Sequence, residues 1–392
     1  MRAGSWASIF HLYLFGMLAI SPVGMIGPLA GDIARTWNLT PEVVGLTIMF
    51  LSLPAVFIGV LMGWLIDRLG ARRMLVISAS AIFLASLTST FATSLLWLQL
   101  GLLITGISFI AVLTAAQVLI MITTEGNRQV RALAFWSTVA PVGLAAGMLI
   151  VARFAGSAGW QMGFGLHATL LAVLIASAFL VPNVRGSAQP GLPRESSARV
   201  LRNMRVLRLG LAFACGVLVA FGVVTVLPMF LERFHELAPS TVAPLLAISS
   251  LAGILGSLGT GVLLTRGLSP RSVALLIAGL AWVSAVATFA PGMPLLIIAA
   301  GVLLLQLAGG GCIALVFALL PRLVESPAQA GTAAGLVNQL QGLGSAAAAP
   351  LFFGLLGTGL PVTFVVATAA AWLAFLLLVP VWQRARPLPA TA

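Results

Sequence analysis

Twelve stretches of this chain are apolar for long enough to cross a lipid bilayer, and that leaves few folds open. A helix of about 20 residues rises roughly 30 Å, the thickness of the hydrocarbon core. Inside that core every backbone N–H and C=O must find a partner within the protein, a condition a helix meets by itself. The runs fall at about 8–28, 43–66, 74–94, 96–122, 132–155, 163–182, 208–231, 241–265, 272–291, 293–320, 331–357 and 361–382. The predicted fold class is therefore an all-α membrane protein with twelve transmembrane helices. Composition agrees: 60% hydrophobic residues, 7% charged and a mean hydropathy of +1.14 exclude a soluble globular chain. Arg2 precedes an apolar run without a small-x-small cleavage site, so the run is expected to be the first membrane helix and not a signal peptide.

A net charge of +12 would point to nucleic acid in a soluble protein. Here the charges are sided. All 20 basic residues are Arg, and with a cytoplasmic N-terminus only Arg35, Arg153 and Arg233 fall outside. The carboxylates divide evenly, with Asp67, Glu125, Glu195 and Glu325 inside and Asp32, Glu42, Glu232 and Glu236 outside. Basic residues, not net charge, set orientation. The expectation is a multi-pass protein of the bacterial cytoplasmic (inner) membrane with both termini in the cytoplasm, no nucleic-acid partner, and the lipid bilayer as its surroundings. Cys215 and Cys312 lie far apart in apolar runs, so neither a disulfide framework nor a metal cluster is expected, and no cofactor. The polar, Pro-, Gly- and Arg-rich stretch between the sixth and seventh spans divides the chain into a six-helix bundle over 1–185, a basic cytoplasmic linker over 186–207 and a second six-helix bundle over 208–392.

Between the second and third spans stands Gly63-Trp64-Leu65-Ile66-Asp67-Arg68-Leu69-Gly70-Ala71-Arg72-Arg73, a tight polar hairpin in a chain nearly free of charge. The pattern Gly-x-x-x-Asp-Arg-x-Gly-x-Arg-Arg resembles the signature loop of the major facilitator superfamily of secondary transporters. Moving along the chain by 198 residues (261 − 63) lays Gly63, Leu65, Arg68 and Arg73 on Gly261, Leu263, Arg266 and Arg271, as two related halves require. Asp67 meets Thr265. Residues 26–45 resemble the family's first outer loop, with Thr40-Pro41 as the cap and first position of the second helix. In the fifth span Pro141, Gly143 and Gly147 resemble a helix-5 motif associated with antiporters, with Ala140 and Leu144 in place of two of its glycines. The basic residue associated with proton coupling in the fourth span is Leu102 here.

The resemblance implies a gating loop formed by Gly63, Asp67, Arg68, Gly70, Arg72 and Arg73, in which Asp67 latches the two halves by meeting a helix N-terminus. It also places the substrate near the midplane, between helices 1, 4, 7 and 10 with help from 2, 5, 8 and 11. Substrate-binding candidates are His11 and Tyr13, Thr114 and Gln117, Gln306, and Asn338 and Gln341, which share a face of the eleventh span with Ser345. Pro141 is expected to bend its helix, with Gly143 and Gly147 allowing close approach. No acid lies near the middle of a span, which disfavours a cationic substrate. The reading is a monomeric secondary transporter moving a small organic solute by alternating access, with H+ as candidate coupling ion. The alternative is an efflux antiporter for hydrophobic compounds. An enzyme would gather carboxylates, His or a nucleophile pair at one depth, and a channel would line a pore with rings of charge or carbonyls. Neither pattern is present, so no enzymatic activity is expected.

Overall fold

The computed structural model describes residues 2–181, 202–323 and 330–381. The helices are α1 (Trp6–Trp37), α2 (Pro41–Ser52), α3 (Gly59–Leu69), α4 (Ala71–Thr90), α5 (Leu95–Thr123), α6 (Gly126–Trp136), α7 (Val139–Val151), α8 (Met162–Ala176), α9 (Met204–His235), α10 (Pro239–Thr265), α11 (Pro270–Phe289), α12 (Leu295–Leu319), α13 (Ala330–Gly357) and α14 (Val362–Leu378). Each apolar run coincides with one helix or a broken pair. Among the described residues eight helices are long and apolar enough to cross a membrane, and the second, fifth, sixth and twelfth runs contribute shorter apolar helices.

Three differences from the hydropathy reading have local causes. The first helix continues to Trp37 instead of ending near residue 28, because Asp32 and Arg35 pair along it and neutralise each other. Asn38 stops it in a left-handed conformation, φ 52°. The second run breaks through a 3-10 turn at Leu53–Val56, where Pro54 lacks the N–H that would continue the helix. The fifth run breaks at Ser137-Thr138, and Pro141 then sits in the first turn of α7. Thr40 holds the cap position of α2, with Pro41 first in the helix, although its hydroxyl makes no capping bond.

The chain forms two compact units. The first comprises Met1–Gln189, Gly222–Leu251 and Ala349–Thr358, and the second Pro190–Phe221, Ala252–Ala348 and Gly359–Ala392. In the first, α1 lies against α7 so closely that a methyl group on Gly147 would overlap the carbonyl oxygen of Ser21, and one on Gly24 that of Leu144. In the second, α9 and α13 repeat this approach at Gly344 and Ala214, as α10 and α12 approach at Gly310 and Gly253. Close backbone contact of small residues is how membrane helices associate when lipid supplies no hydrophobic drive.

Imidazole and hydroxyl groups pin the first unit further. His167, with no exposed surface, donates from Nε2 to the carbonyl of Leu18 at 2.9 Å, since that oxygen can only accept. Its Nδ1 must then accept from the Ser86 hydroxyl, 2.8 Å away. One neutral imidazole thus joins α1, α4 and α8.

Candidate functional site

The C-terminal end of α1 carries a polar cluster that belongs wholly to the first unit. Asp32 is buried, its side chain 3% exposed, and it accepts from Arg35 at 2.7 Å on Oδ1 and from the backbone N–H of Gly156 at 2.8 Å on Oδ2. Gly156 has φ 80°, a left-handed turn in the α7–α8 connection that a residue with a Cβ rarely adopts. Arg35 uses its other terminal nitrogen, 2.6 Å from Oε1 of Glu232 on α9. One guanidinium therefore spans two carboxylates 200 residues apart (232 − 32). Beside them Trp160 donates to the Thr36 hydroxyl at 2.9 Å, while Arg233 donates to the carbonyl of Leu356 in the last turn of α13 at 2.8 Å. A cation there complements the exposed carbonyls of a helix end.

At the same end, residues 222–251 and 349–358 close on the first six spans. The Cα of Gly27 faces Val224 and Thr225, and Gly45 faces Ala349 and Phe353. Further along the bundle, the Ser250 hydroxyl donates to Ala247 of its own helix at 2.8 Å and also lies 3.4 Å from the carbonyl of Pro141. The contacts are close backbone approach plus one charged bridge.

The residues singled out in the sequence fall in several places. His11 is buried and lies 2.8 Å from the Ser177 hydroxyl, which itself donates to Leu174. Tyr13 donates to Thr138 at 2.9 Å, because that hydroxyl gives its own proton to Phe135, and its ring stacks on Phe135 with centroids 4.3 Å apart. Both side chains bond to neighbouring helices of their own unit. Thr114 bonds back to Ile110 on its own helix, whereas Gln117 is exposed. In the second unit Gln306 is buried, Asn338 is exposed, and Gln341 reaches Ser345 at 3.5 Å. Gly143 and Gly147 face Met17, Ile20 and Ser21 on α1.

In the polar hairpin, Gly70 turns the chain with φ 87° and its N–H closes α3 on Ile66. Arg68 and Arg73 are exposed, and Arg72 points at the carbonyl of Phe179 at 3.4 Å. The surroundings of Gly63 and the side chain of Asp67 lie outside the described residues.

The cluster around Asp32 escapes a linear reading, which files Asp32, Glu232, Arg35 and Arg233 as loop charges. Its one local signal is the Asp32/Arg35 spacing of three, which puts the pair on one face of a helix.

A bundle of apolar helices with paired charges at their ends and amides within is a polytopic membrane protein in its architecture, and comparison specifies it. The Major Facilitator Superfamily pattern matches residues 12–349, so the chain belongs to that family. Its all-helical fold resembles a bacterial homolog of the human lysosomal transporter Spinster, solved inward-facing and unoccupied, with a TM-score of 0.80 at 16% identity over 98% of both chains. A mutant of the nucleoside transporter NupG gives 0.80 at 14% identity, over 95% of this chain and 99% of that one. The Spinster homolog in its inward-facing, occupied form gives 0.72 at 15% identity, over 95% and 93%. No curated protein matches the sequence. The chain is a multi-pass membrane transporter and not an enzyme.

Proposed function

We propose that this protein is a monomeric secondary transporter of the bacterial cytoplasmic membrane that moves a small organic solute by alternating access, with the end of α1 bearing Asp32 and Arg35 on the outer face. The observation that carries the reading is the closure of 222–251 and 349–358 over that end of the first six spans. A transporter needs a seal that opens, and this one suits the task. Its charged bridge is half exposed at Arg35, where an ion pair contributes only about 0–1 kcal/mol. Its remaining contacts are backbone surfaces that part without breaking a covalent or deeply buried polar bond.

The solute side of the reading rests on the amides. Gln117 and Asn338 are exposed on helices of spanning length, and an amide facing lipid would leave its donors and acceptors unsatisfied. Facing a water-filled path, they can hydrogen-bond a solute. Among the described residues the carboxylates on spanning helices, Asp32 and Glu232, stand at the helix ends and pair with Arg35, so a cationic solute finds no unpaired acid there, and neutral or anionic solutes fit better. Asp32 is also the group placed to take a coupling proton. The hairpin with Asp67 serves as the latch on the cytoplasmic side.

The seal is tested by replacing Arg35 and Glu232 with cysteine in a background of Cys215→Ser and Cys312→Ala, then joining them with a reductant-cleavable bifunctional thiosulfonate. In proteoliposomes offered nucleosides, organic anions and neutral amphiphiles, a solute showing saturable counterflow should stop moving once the link forms and move again on reduction. Undiminished transport by fully linked protein would refute an opening at this end.

A further inference from the structure

Among the described residues, four buried side-chain atoms have no hydrogen-bond partner in the protein: the hydroxyls of Ser284, Thr288 and Thr368 and the indole N–H of Trp372. All four residues are at most 1% exposed. They are confined to two helices of the second unit, spaced by four on α11 (Ser284, Thr288) and by four on α14 (Thr368, Trp372). The spacing puts each pair on one helical face.

Two contacts fix how the faces meet. Phe289 stacks on Phe364 with centroids 5.0 Å apart, and Trp282 donates to the carbonyl of Ala369 at 3.2 Å. Numbers rise along α11 as they fall along α14, so Ser284 lies level with Thr368. Trp372 is one turn away toward one end and Thr288 one turn toward the other, where its hydroxyl faces Gly301 of α12. A turn is about 5.4 Å. Two hydrogen bonds of about 2.8 Å laid end to end through one oxygen span that distance.

The first unit holds an imidazole near the matching place. Moving along the chain by 198 residues carries Ser86 to Ser284 (86 + 198) and Leu18 to Gly216 (18 + 198). In the first unit His167 lies between the two, accepting from Ser86 and donating to the Leu18 carbonyl. In the second unit a ring again reaches the α9 position: a Cβ on Gly216 would lie 3.6 Å from Cη2 of Trp372. Indole donates once and accepts nothing. It cannot do what the imidazole does, and the hydroxyl at Ser284 loses its acceptor.

We propose that Ser284, Thr368 and Trp372 bind a buried water between α11 and α14, which accepts from the indole N–H and links the two hydroxyls. The donor set selects the occupant. An indole N–H repels a cation, and no basic side chain stands on these faces to hold an anion. Water accepts and donates, and it needs the two to four polar partners that this seam offers. The same oxygen then joins α11 to α14 in the second unit, as His167 joins α4 to α8 in the first.

Thermal melting of the purified full-length protein with Ser284→Ala, Thr368→Val and both together tests the site. A shared water predicts that each single change lowers the midpoint and that the double change lowers it little further, because the first already releases the bridge. A Thr368→Val protein that melts at or above wild type, or a double variant whose loss is the sum of the singles, overturns the proposal. Should the variants not fold, X-ray hydroxyl-radical labelling of the unaltered protein decides. Bound water makes Trp372 react despite its burial, and a Trp372 that stays unmodified overturns the site.

Discussion

Taken residue by residue, the two carboxylates that share Arg35 differ in what they contribute. Glu232 is about one-third exposed and its partner half exposed, so solvent screens that bond to about 0–1 kcal/mol. Asp32 is buried, and its two oxygens both accept, one from the guanidinium and one from the Gly156 N–H. Asn at this position can accept with only one atom and must aim an amide N–H at a donor. A buried hydrogen bond to a charged group contributes about 1.5–3 kcal/mol. Asp32→Asn should therefore lower the melting temperature of the purified protein clearly, while Glu232→Gln leaves it nearly unchanged. Equal losses would show that burial does not distinguish the two bonds. Little of this was legible in the sequence, where 197 residues separate Arg35 from Glu232 and hydropathy ends the first span before either partner of Asp32. The apolar runs, by contrast, announce themselves one window at a time.

Among the helices, the fifth span shows how far a motif read from sequence reaches. Pro141, Gly143 and Gly147 mark a bend and a smooth face. The structure places the break at Ser137-Thr138, immediately before α7, and sets both glycines on α1. A methyl group at Gly147 meets the backbone of Ser21, which cannot rotate away as a side chain could. Gly147→Ala should push α1 from α7 and lower both melting temperature and transport. Gly335→Ala on α13 has nothing within 4 Å of the added carbon and should behave as wild type. Helix propensity alone favours Ala over Gly by about 1 kcal/mol, so a loss in Gly335→Ala that matched the loss in Gly147→Ala would show that backbone contact does not set the two glycines apart. Pairing of helices is a three-dimensional fact, so the sequence supplied the glycines without their partners. For the same reason His11 and Tyr13 read as free polar groups in a span, although Ser177 and Thr138 occupy them.

Over the full chain, the arginine asymmetry predicts the orientation, and α10 offers a direct measurement of it. This helix runs for 27 residues, about 40 Å at 1.5 Å per residue, and so exceeds the roughly 30 Å hydrocarbon core. Its two flanks must then emerge on opposite sides. Leu237 precedes it beside the acids of α9, whereas Leu268 follows it between Arg266 and Arg271, on the side where basic residues are retained. In a background of Cys215→Ser and Cys312→Ala, Leu237→Cys should react with a membrane-impermeant maleimide in intact cells, and Leu268→Cys only after the membrane is opened. The reversed pattern would invert the protein and put the Asp32 cluster in the cytoplasm. Equal labelling of both positions would deny that α10 spans at all, and with it the pairing of α10 and α12 at Gly253 and Gly310 as an event inside the membrane.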